Sequence, residues 1–154
     1  MKDLKNKTRE TVIQIARWQV GVLESPAGSN KQKYGEAYGW NGVAWCMIFV
    51  WWCFKEAGFN LKKTASCTEL MKSYAESKQW VTKGFKPGDI AMFDFSGKKQ
   101  ITEHTGIIVE VGDGHVITIE GNTGSGNNTN GGAVMERKRD LKYVTGVCRP
   151  MYNM

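Results

Sequence analysis

The sequence contains little proline and no long hydrophobic run. Three prolines occur among 154 residues, against eighteen glycines, and 41% of the residues are hydrophobic. This balance argues against a disordered chain and predicts one globular domain with tight turns and β structure. The longest apolar run, residues 43–54, is too short to span a bilayer. It therefore predicts a buried element, and no membrane insertion is expected.

The sequence also lacks the patterns of exported and metal-binding proteins. The charged segment of residues 1–20 has no uninterrupted apolar core, so no signal peptide is predicted and synthesis in the cytoplasm is expected. The four cysteines have irregular spacing without a C-x-x-C pair, which argues against a zinc site. Without a signal peptide, disulfides are not expected either. We expect neither a metal nor another cofactor. The cysteines are Cys46, Cys53, Cys67 and Cys148.

The charge of the chain is compatible with an anionic partner. The formal net charge is +6, which favours nucleic acid or a phosphate-rich cell wall, although a solvated basic surface is the simplest explanation. The one basic cluster, residues 136–140, is short and of mixed sign. No helix-turn-helix, RNA-binding or zinc-finger pattern accompanies it, so no nucleic-acid partner is expected.

The first half of the chain has the patterns of helices. Apolar residues at helical spacing predict an amphipathic helix from about Thr8. A turn-rich loop is predicted over residues 24–42. Ser66 and Glu69 have the spacing of a capping box and predict the start of a further helix.

The second half of the chain has the patterns of strands. Its short β-branched segments are separated by glycine-rich turns, as strands are. Because helices come first and strands second, the order predicts an α+β fold with an antiparallel sheet. Residues 121–132 are rich in glycine and asparagine and predict a long loop that could border a site. The strand segments are KPGDIAMFDF, HTGIIVEV, HVITIE, GAVMERK and YVTGVCRP.

The apolar run predicts a central buried helix with a cysteine in its first turn. The helix is expected to begin near Ala44 or Trp45 and to end at Gly58. Cys46 would then lie among free backbone N–H groups at the positive end of the helix dipole, where a thiolate is stabilised. Cys53, almost two turns further along, is expected to point into the core.

A β-hairpin brings candidate partners for a nucleophile together. If residues 112–114 form a three-residue turn, His104 lies opposite Asn122, and Gly106 lies opposite Glu120. Side chains alternate along a strand, so Glu120 and Asn122 share one face with His104. A carboxylate and an amide would then flank one imidazole. A two-residue turn would reverse the parity and separate them.

Structural roles are the alternatives for these residues. Cys46 could be inert packing in an aromatic helix, and His104 and Glu120 could be ordinary residues at strand ends. The other histidine, His115, is expected at the hairpin tip, roughly 16 Å along the strand from Glu120 at ~3.3 Å per residue. It is therefore predicted to be a surface turn residue.

Four segments together resemble the CHAP family, the cysteine, histidine-dependent amidohydrolases/peptidases. They have the order and separation of the family's blocks and cover nearly the whole chain. The family cleaves peptidoglycan and includes phage endolysins and bacterial autolysins. The resemblance implies a papain-like fold, in which a central buried helix carries the nucleophile and packs on a C-terminal antiparallel sheet. It also implies that residues 1–154 form a single catalytic domain. The segments are YGWNGVAWCMIFVWWCFKEAGF, FKPGDIAMFDF, EHTGIIVEV and TIEGNTG.

The resemblance implies a role for each matching residue. Cys46 matches the nucleophile and His104 the general base. Glu120 matches the group that orients the imidazole, and Asn122 the polar residue beside it. Some family members carry an acidic calcium loop before the cysteine. The corresponding stretch of this sequence has a single acid, Glu36, so no calcium is expected.

Further residues are candidates for binding the substrate. The backbone N–H of Cys46 would help to hold an oxyanion. Asn41 is a candidate second donor, with capping of its own loop as an equal alternative. Trp40, Trp45 and the loop of residues 121–132 could line the substrate groove, although a core position is favoured for Trp45.

The expected function is hydrolysis of an amide bond in bacterial cell-wall peptidoglycan. The enzyme would be an endopeptidase or an N-acetylmuramoyl-L-alanine amidase, of the phage endolysin or autolysin kind, acting as a monomer at the cell wall. Two alternatives come from other classes. One is a non-catalytic cell-wall binding module, and the other is an intracellular amidase that acts on a small peptide conjugate.

Overall fold

The computed structural model describes residues 7–152, so the first six residues of the charged N-terminal segment lie outside the described part. Within this range the chain forms four α-helices and one antiparallel six-stranded sheet of order β1-β6-β2-β3-β4-β5. The predicted α+β class is confirmed. The helices are α1 (Arg9–Trp18), α2 (Lys33–Tyr38), α3 (Cys46–Glu56) and α4 (Cys67–Glu76). The strands are β1 (Trp80–Val81), β2 (Ile90–Phe93), β3 (His104–Gly112), β4 (His115–Thr123), β5 (Ala133–Asp140) and β6 (Val144–Cys148).

Side-chain caps fix the starts of α1 and α4 as predicted. The Thr8 hydroxyl accepts a hydrogen bond from the backbone N–H of Thr11 at 3.2 Å. The Ser66 hydroxyl accepts one from the N–H of Glu69, also at 3.2 Å. The return half of the predicted capping box is replaced, because the N–H of Ser66 donates to the Thr64 hydroxyl at 3.0 Å.

Two short elements are missing from the sequence prediction. Helix α2 lies within the predicted loop of residues 24–42, where the Gln32 side chain caps its start and Gly39, with φ 94°, ends it. Buried Tyr34 fixes this helix against the aromatic side chains of α3. Strand β1 has two residues and pairs only with β6. Both elements are too short to show a hydrophobic period.

Helix α3 is the centre of the fold. Eight of its eleven residues are buried, and it packs against β3 and β4. A helix that is apolar all round is expected to be enclosed in this way. It ends as predicted, because Gly58 follows it with φ 89°, a conformation that glycine adopts without steric cost. Cys53 is fully buried in the core, also as predicted.

The β3–β4 hairpin reaches the predicted register by a different route. Gly112 pairs with His115, so the turn has two residues and the predicted three-residue turn is wrong. A β-bulge at Val109 then shifts the ladder by one residue, and Ile107 pairs with Ile119. The bulge cancels the change of parity that the shorter turn introduces. The end of the hairpin that carries the candidate site therefore keeps the expected pairing.

The sheet separates two apolar clusters. Ile90 and Met92 of β2 belong to the cluster under the helices, whereas Ala91 and Phe93 belong to the second cluster. This is the alternation expected of a strand that is buried on both faces. Phe93 and the following Phe95 lie next to each other with ring centroids 5.6 Å apart. The two rings form one wall of the candidate site.

Candidate active site

Cys46 is the first residue of α3, and the residue is 8% exposed. The pKa of Cys46 is held well below its usual range, and the largest cause is the Cys67 thiol at the start of α4. Burial opposes this shift, while the His104 imidazole and the backbone N–H of Met47 lower the pKa further. A thiolate is therefore favoured at Cys46, with the Cys67 thiol as the main cause and the helix N–H as the smallest one.

His104 opens strand β3 and is fully buried. Its Nε2 lies 2.9 Å from Oε1 of Glu120. Its Nδ1 is buried and has no hydrogen-bond partner among the residues that the structure describes. Burial lowers the pKa of His104, but Cys46 and Glu120 outweigh it and raise the pKa to about 9. With Nε2 turned to the carboxylate, Nδ1 is the nitrogen that can exchange a proton with the thiol.

Glu120 is a fully buried carboxylate with several charged or polar partners. Besides His104, it accepts a hydrogen bond from the Thr118 hydroxyl at 2.6 Å and two from Arg139, at 2.8 and 2.6 Å. Burial raises its pKa, but Arg139 and His104 lower it to about 2. Such pairing is what allows a carboxylate to stay ionised away from water. Glu120 is therefore a fixed negative charge behind the imidazole.

Asn122 is buried two residues after Glu120, but its hydrogen bonds point away from His104. Its Oδ1 accepts from the N–H of Gly132 at 3.1 Å, and its Nδ2 donates to Oδ1 of Asn130 at 3.2 Å. Its φ of 56° is in the left-handed region. Asn122 thus anchors the Gly/Asn loop, residues 124–132, which joins β4 to β5.

The residues proposed for substrate contact lie before α3. Asn41 is exposed, and its Oδ1 accepts hydrogen bonds from the N–H groups of Gln32 and Gly42, which is a loop-capping arrangement. Trp40 is 56% exposed. Trp45 is fully buried, in the core position favoured for it, and donates to Glu24 at 3.2 Å.

Trp40 borders an open pocket of about 470 Å³ beside the start of α3. Ala44 and Ser66 line the same pocket, and each lies within two residues in sequence of Cys46 or Cys67. The pocket is therefore a candidate substrate groove. Its remaining lining residues are Tyr38, Val43, Lys63, Thr64 and Ala65.

Sequence reasoning missed two residues that touch the site, Cys67 and Arg139. Cys67, on a different helix, lowers the pKa of Cys46, and nothing in its local pattern marks it. Arg139 belongs to the basic cluster of residues 136–140 and is buried, whereas its neighbours Lys138 and Asp140 are exposed. The available signal was the alternation of β5, which places Arg137 and Arg139 of this cluster on one face and Lys138 and Asp140 on the other.

The other histidine lies away from this site. His115 is at the hairpin tip, where its Nδ1 is 3.1 Å from the carbonyl oxygen of Asp113, which matches the predicted turn position. Within residues 7–152 no group of three or more His, Cys, Asp or Glu side chains could hold a metal ion. In the same part of the chain, every helix is too short or too polar to cross a membrane.

Comparisons with known proteins give a family and a fold. A family model described as the CHAP domain matches residues 37–122, more than half of the chain. The crystal structure of the wild-type endolysin LysIME-EF1 superposes with a TM-score of 0.60 over 95% of this chain, at 16% sequence identity. At this identity the likeness shows a shared fold. The chain spans 65% of the length of that endolysin structure. No curated protein matches the sequence.

Proposed function

The chain belongs to the CHAP domain family, and from this premise we propose that it is a peptidoglycan hydrolase that cleaves an amide bond of cell-wall peptide by cysteine nucleophilic catalysis. At the level of the family, CHAP domains are cysteine/histidine amidohydrolases. The observation that carries the proposal is the buried His104–Glu120 pair, 2.9 Å apart, beside Cys46, whose pKa the imidazole helps to lower. We further propose that residues 1–154 act as one catalytic domain.

The resting site holds a thiolate and an imidazolium in this proposal. The lowered pKa of Cys46 and the raised pKa of His104 both favour transfer of the thiol proton to Nδ1. Glu120 keeps the ring in place by accepting from the Nε2–H. A thiolate is the reactive form of cysteine, and the paired base is ready to act as an acid.

Catalysis then proceeds through an acyl-enzyme. The Cys46 sulfur attacks the amide carbonyl carbon, and the carbonyl oxygen takes the negative charge. The N–H of Cys46, at the first position of a helix, has no intrahelical acceptor and can donate to this oxyanion. Asn41 Nδ2 is the proposed second donor. His104 gives its Nδ1 proton to the leaving amine, and the C–N bond breaks.

Hydrolysis of the acyl-enzyme returns the site to its starting state. His104, now neutral, accepts a proton from water at Nδ1, and the resulting hydroxide attacks the thioester carbonyl. The carbon–sulfur bond breaks and releases the acid product and the Cys46 thiolate. Glu120 stays ionised throughout and compensates the imidazolium whenever it forms.

The setting of this reaction is also a proposal. The open pocket of about 470 Å³ beside Trp40 is the proposed groove for the peptide, and its lining leaves both bond classes open: endopeptidase and N-acetylmuramoyl-L-alanine amidase. The formal charge of +6 favours approach to an anionic cell wall. We propose that the enzyme acts there as a monomer, in the manner of an endolysin or autolysin.

The test is digestion of purified peptidoglycan, followed by turbidity and by mass spectrometry of the released fragments. Wild type should clear the walls, and Cys46→Ala should not. Cys53→Ala is the matched control, because it removes a thiol from the same helix within the core. A free lactyl group among the products identifies an amidase, and a new peptide amine identifies an endopeptidase. Clearing by Cys46→Ala equal to wild type would refute the mechanism.

A further inference from the structure

Arg139 forms a bidentate ion pair with Glu120. Its side chain is 6% exposed although β5 is an edge strand, and strand register places it opposite Val116 of β4. Its Nε donates to Oε2 of Glu120 at 2.8 Å, and its Nη2 donates to Oε1 at 2.6 Å. A forked pair of this kind fixes the plane of a carboxylate as well as its charge.

Arg139 and His104 share the same surroundings. The guanidinium carbon of Arg139 lies 4.8 Å from the ring centroid of Phe95 and 5.6 Å from that of Phe93. The imidazole of His104 lies 5.9 and 6.0 Å from the same two centroids. Both cationic groups therefore contact one aromatic wall and one carboxylate. Oε1 of Glu120 accepts from both of them.

Arg139 also reaches the Gly/Asn loop. Its Nη1 donates to Oδ1 of Asn128 at 3.0 Å. Arg137, two residues earlier on β5, donates to the same oxygen at 3.0 Å and to the Thr123 hydroxyl, but forms no hydrogen bond to Glu120. One arginine thus connects the loop to the carboxylate, and the other contacts the loop without the carboxylate.

We propose that Arg139 is a positioning residue for the hydrolysis, which holds Glu120 ionised and oriented against His104 and links that carboxylate to the Gly/Asn loop. The inference rests on the proposed function, since it concerns the reactivity of Cys46 and His104. It goes beyond that function because it assigns the orientation of the acid–base pair to a residue that does not touch the substrate.

The charge balance of the site supports this role. Several charged or titratable groups surround Glu120. His104 faces it from β3, and Arg139 and the more distant Arg137 face it from β5. Cys46 lies on the other side of the imidazole. With a thiolate and an imidazolium, the four groups at the centre form two opposite pairs. Removal of Arg139 leaves one uncompensated negative charge in a buried site, which opposes ionisation of both the carboxylate and the thiol.

Alkylation of Cys46 by iodoacetamide tests the proposal without requiring a cell-wall substrate. The rate at Cys46, located by peptide mass mapping, is measured against pH for wild type, Arg139→Met, Arg139→Lys and the matched control Arg137→Met. Loss of Arg139 leaves a net negative charge near the thiolate, so the acid limb of Cys46 alkylation, where the thiolate forms, should move to higher pH in Arg139→Met. The shift should be smaller than the roughly 1–3 units that a directly paired carboxyl undergoes, because the imidazole lies between the two groups. Arg137→Met should shift the acid limb far less.

Arg139→Lys separates charge from geometry. Lysine keeps the positive charge but offers no planar fork, so the acid limb should stay near that of wild type. On peptidoglycan, the same variant should lose kcat with little change in KM, because Glu120 is held less well. It also carries the test if Arg139→Met does not fold, as judged by near-ultraviolet circular dichroism.

The two proposals fail in different ways. If Cys46 of wild type reacts no faster than an ordinary buried thiol, the proposed function is wrong, and this inference falls with it. If wild type reacts as expected and Arg139→Met keeps the same acid limb, Arg139 is not a positioning residue. If folded Arg139→Lys keeps the kcat of wild type, the bidentate guanidinium of Arg139 does not position Glu120.

Discussion

Gly106 lies directly against the side chain of Glu120. A β-carbon built at position 106 would stand 2.6 Å from Cγ of Glu120 and 3.1 Å from the carbonyl oxygen of Ile119. Neither neighbour is free to move, because Arg139 and His104 hold the carboxylate and the strand ladder holds the carbonyl. The absence of a side chain at 106 therefore sets the position of the candidate catalytic carboxylate.

Gly106→Ala should displace Glu120 from His104 and reduce activity. A misplacement of about 1 Å in catalytic geometry can cost roughly 100-fold in rate, so we expect kcat to fall by about that factor. The measurement is turnover on peptidoglycan beside Gly112→Ala. At position 112 a β-carbon meets the His115 ring at the hairpin tip, which can swing away. Equal activity of the two variants would contradict the prediction.

Glu120→Gln should lower the pH above which activity is lost on the alkaline side of the pH–rate profile. The pKa of His104 is raised to about 9, so the imidazolium persists until the pH passes that value. A neutral glutamine removes one cause of this shift, and the basic limb of the pH–rate profile should move down. Because the chain has two histidines, the ¹⁵N signals of His104 can be followed directly, with His115 as the internal reference. An unchanged His104 titration would refute the role of Glu120.

The Glu120 carboxylate should also make the free energy of unfolding depend on pH in the acid range. Folding lowers the pKa of Glu120 from 4.5 to about 2. The ionised carboxylate therefore contributes its full stabilisation of the fold above the unfolded-state pKa of 4.5, and this stabilisation is lost as the pH falls towards 2. A shift of this size corresponds to a contribution on the order of 3 kcal/mol.

Urea unfolding across this acid range checks the prediction. The free energy of unfolding of wild type should fall more steeply with acid than that of Glu120→Gln. Glu136→Gln is the control, because Glu136 forms an exposed ion pair with Arg17 at 3.5 Å, which contributes little to stability. A wild-type slope equal to that of Glu120→Gln would show that Glu120 is not a source of acid sensitivity.

Cys67→Ala should make the Cys46 thiol less acidic. The Cys67 thiol is the largest cause of the lowered pKa of Cys46, so its loss should move the acid limb of alkylation upward. Cys67→Ser restores a donor in the same place and should recover much of the wild-type profile. An identical acid limb in the wild type and the alanine variant would show that the His104 and backbone contacts are sufficient.

Two substitutions at Asn122 should separate its backbone and side-chain roles. Asn122 has a φ of 56°. At this φ, a residue that has a β-carbon but no local hydrogen bond is destabilised by about 1 kcal/mol, whereas glycine is not. Asn122→Ala loses both the favourable conformation and the bonds to Asn130 and Gly132, whereas Asn122→Gly loses only the bonds. Thermal unfolding should therefore rank wild type above Gly and Gly above Ala. The reverse order of the two variants would exclude backbone strain as the cause.

The local part of the site is predictable from the sequence. The start of α3 at Cys46 follows from the end of a polar loop and the beginning of an apolar run. The shared face of His104 and Glu120 follows from strand alternation. The register between them was obtained from an incorrect turn length, and it holds because the bulge at Val109 supplies the missing residue. A bulge depends on strand twist and packing and leaves no short sequence pattern.

The parts that could not be predicted depend on contacts between distant segments. Arg139 reaches Glu120 across nineteen positions of the chain, and Cys67 acts on the pKa of Cys46 from another helix. Charge patterning alone makes residues 136–140 a solvated cluster, since burial of one arginine requires a partner that the local sequence does not show. The short helix α2 was missed for a related reason, because buried Tyr34 holds it in place through tertiary packing.

The bulge at Val109 has a practical consequence for the hairpin. The observed pairing combines a two-residue turn with the bulge, while a three-residue turn without a bulge would bring the same residues together at His104 and Glu120. The bulge therefore separates the register of the outer hairpin from that of the inner end. Engineered length changes should be absorbed at the tip, which makes the Asp113–Gly114 junction the place to insert an affinity tag or fluorophore.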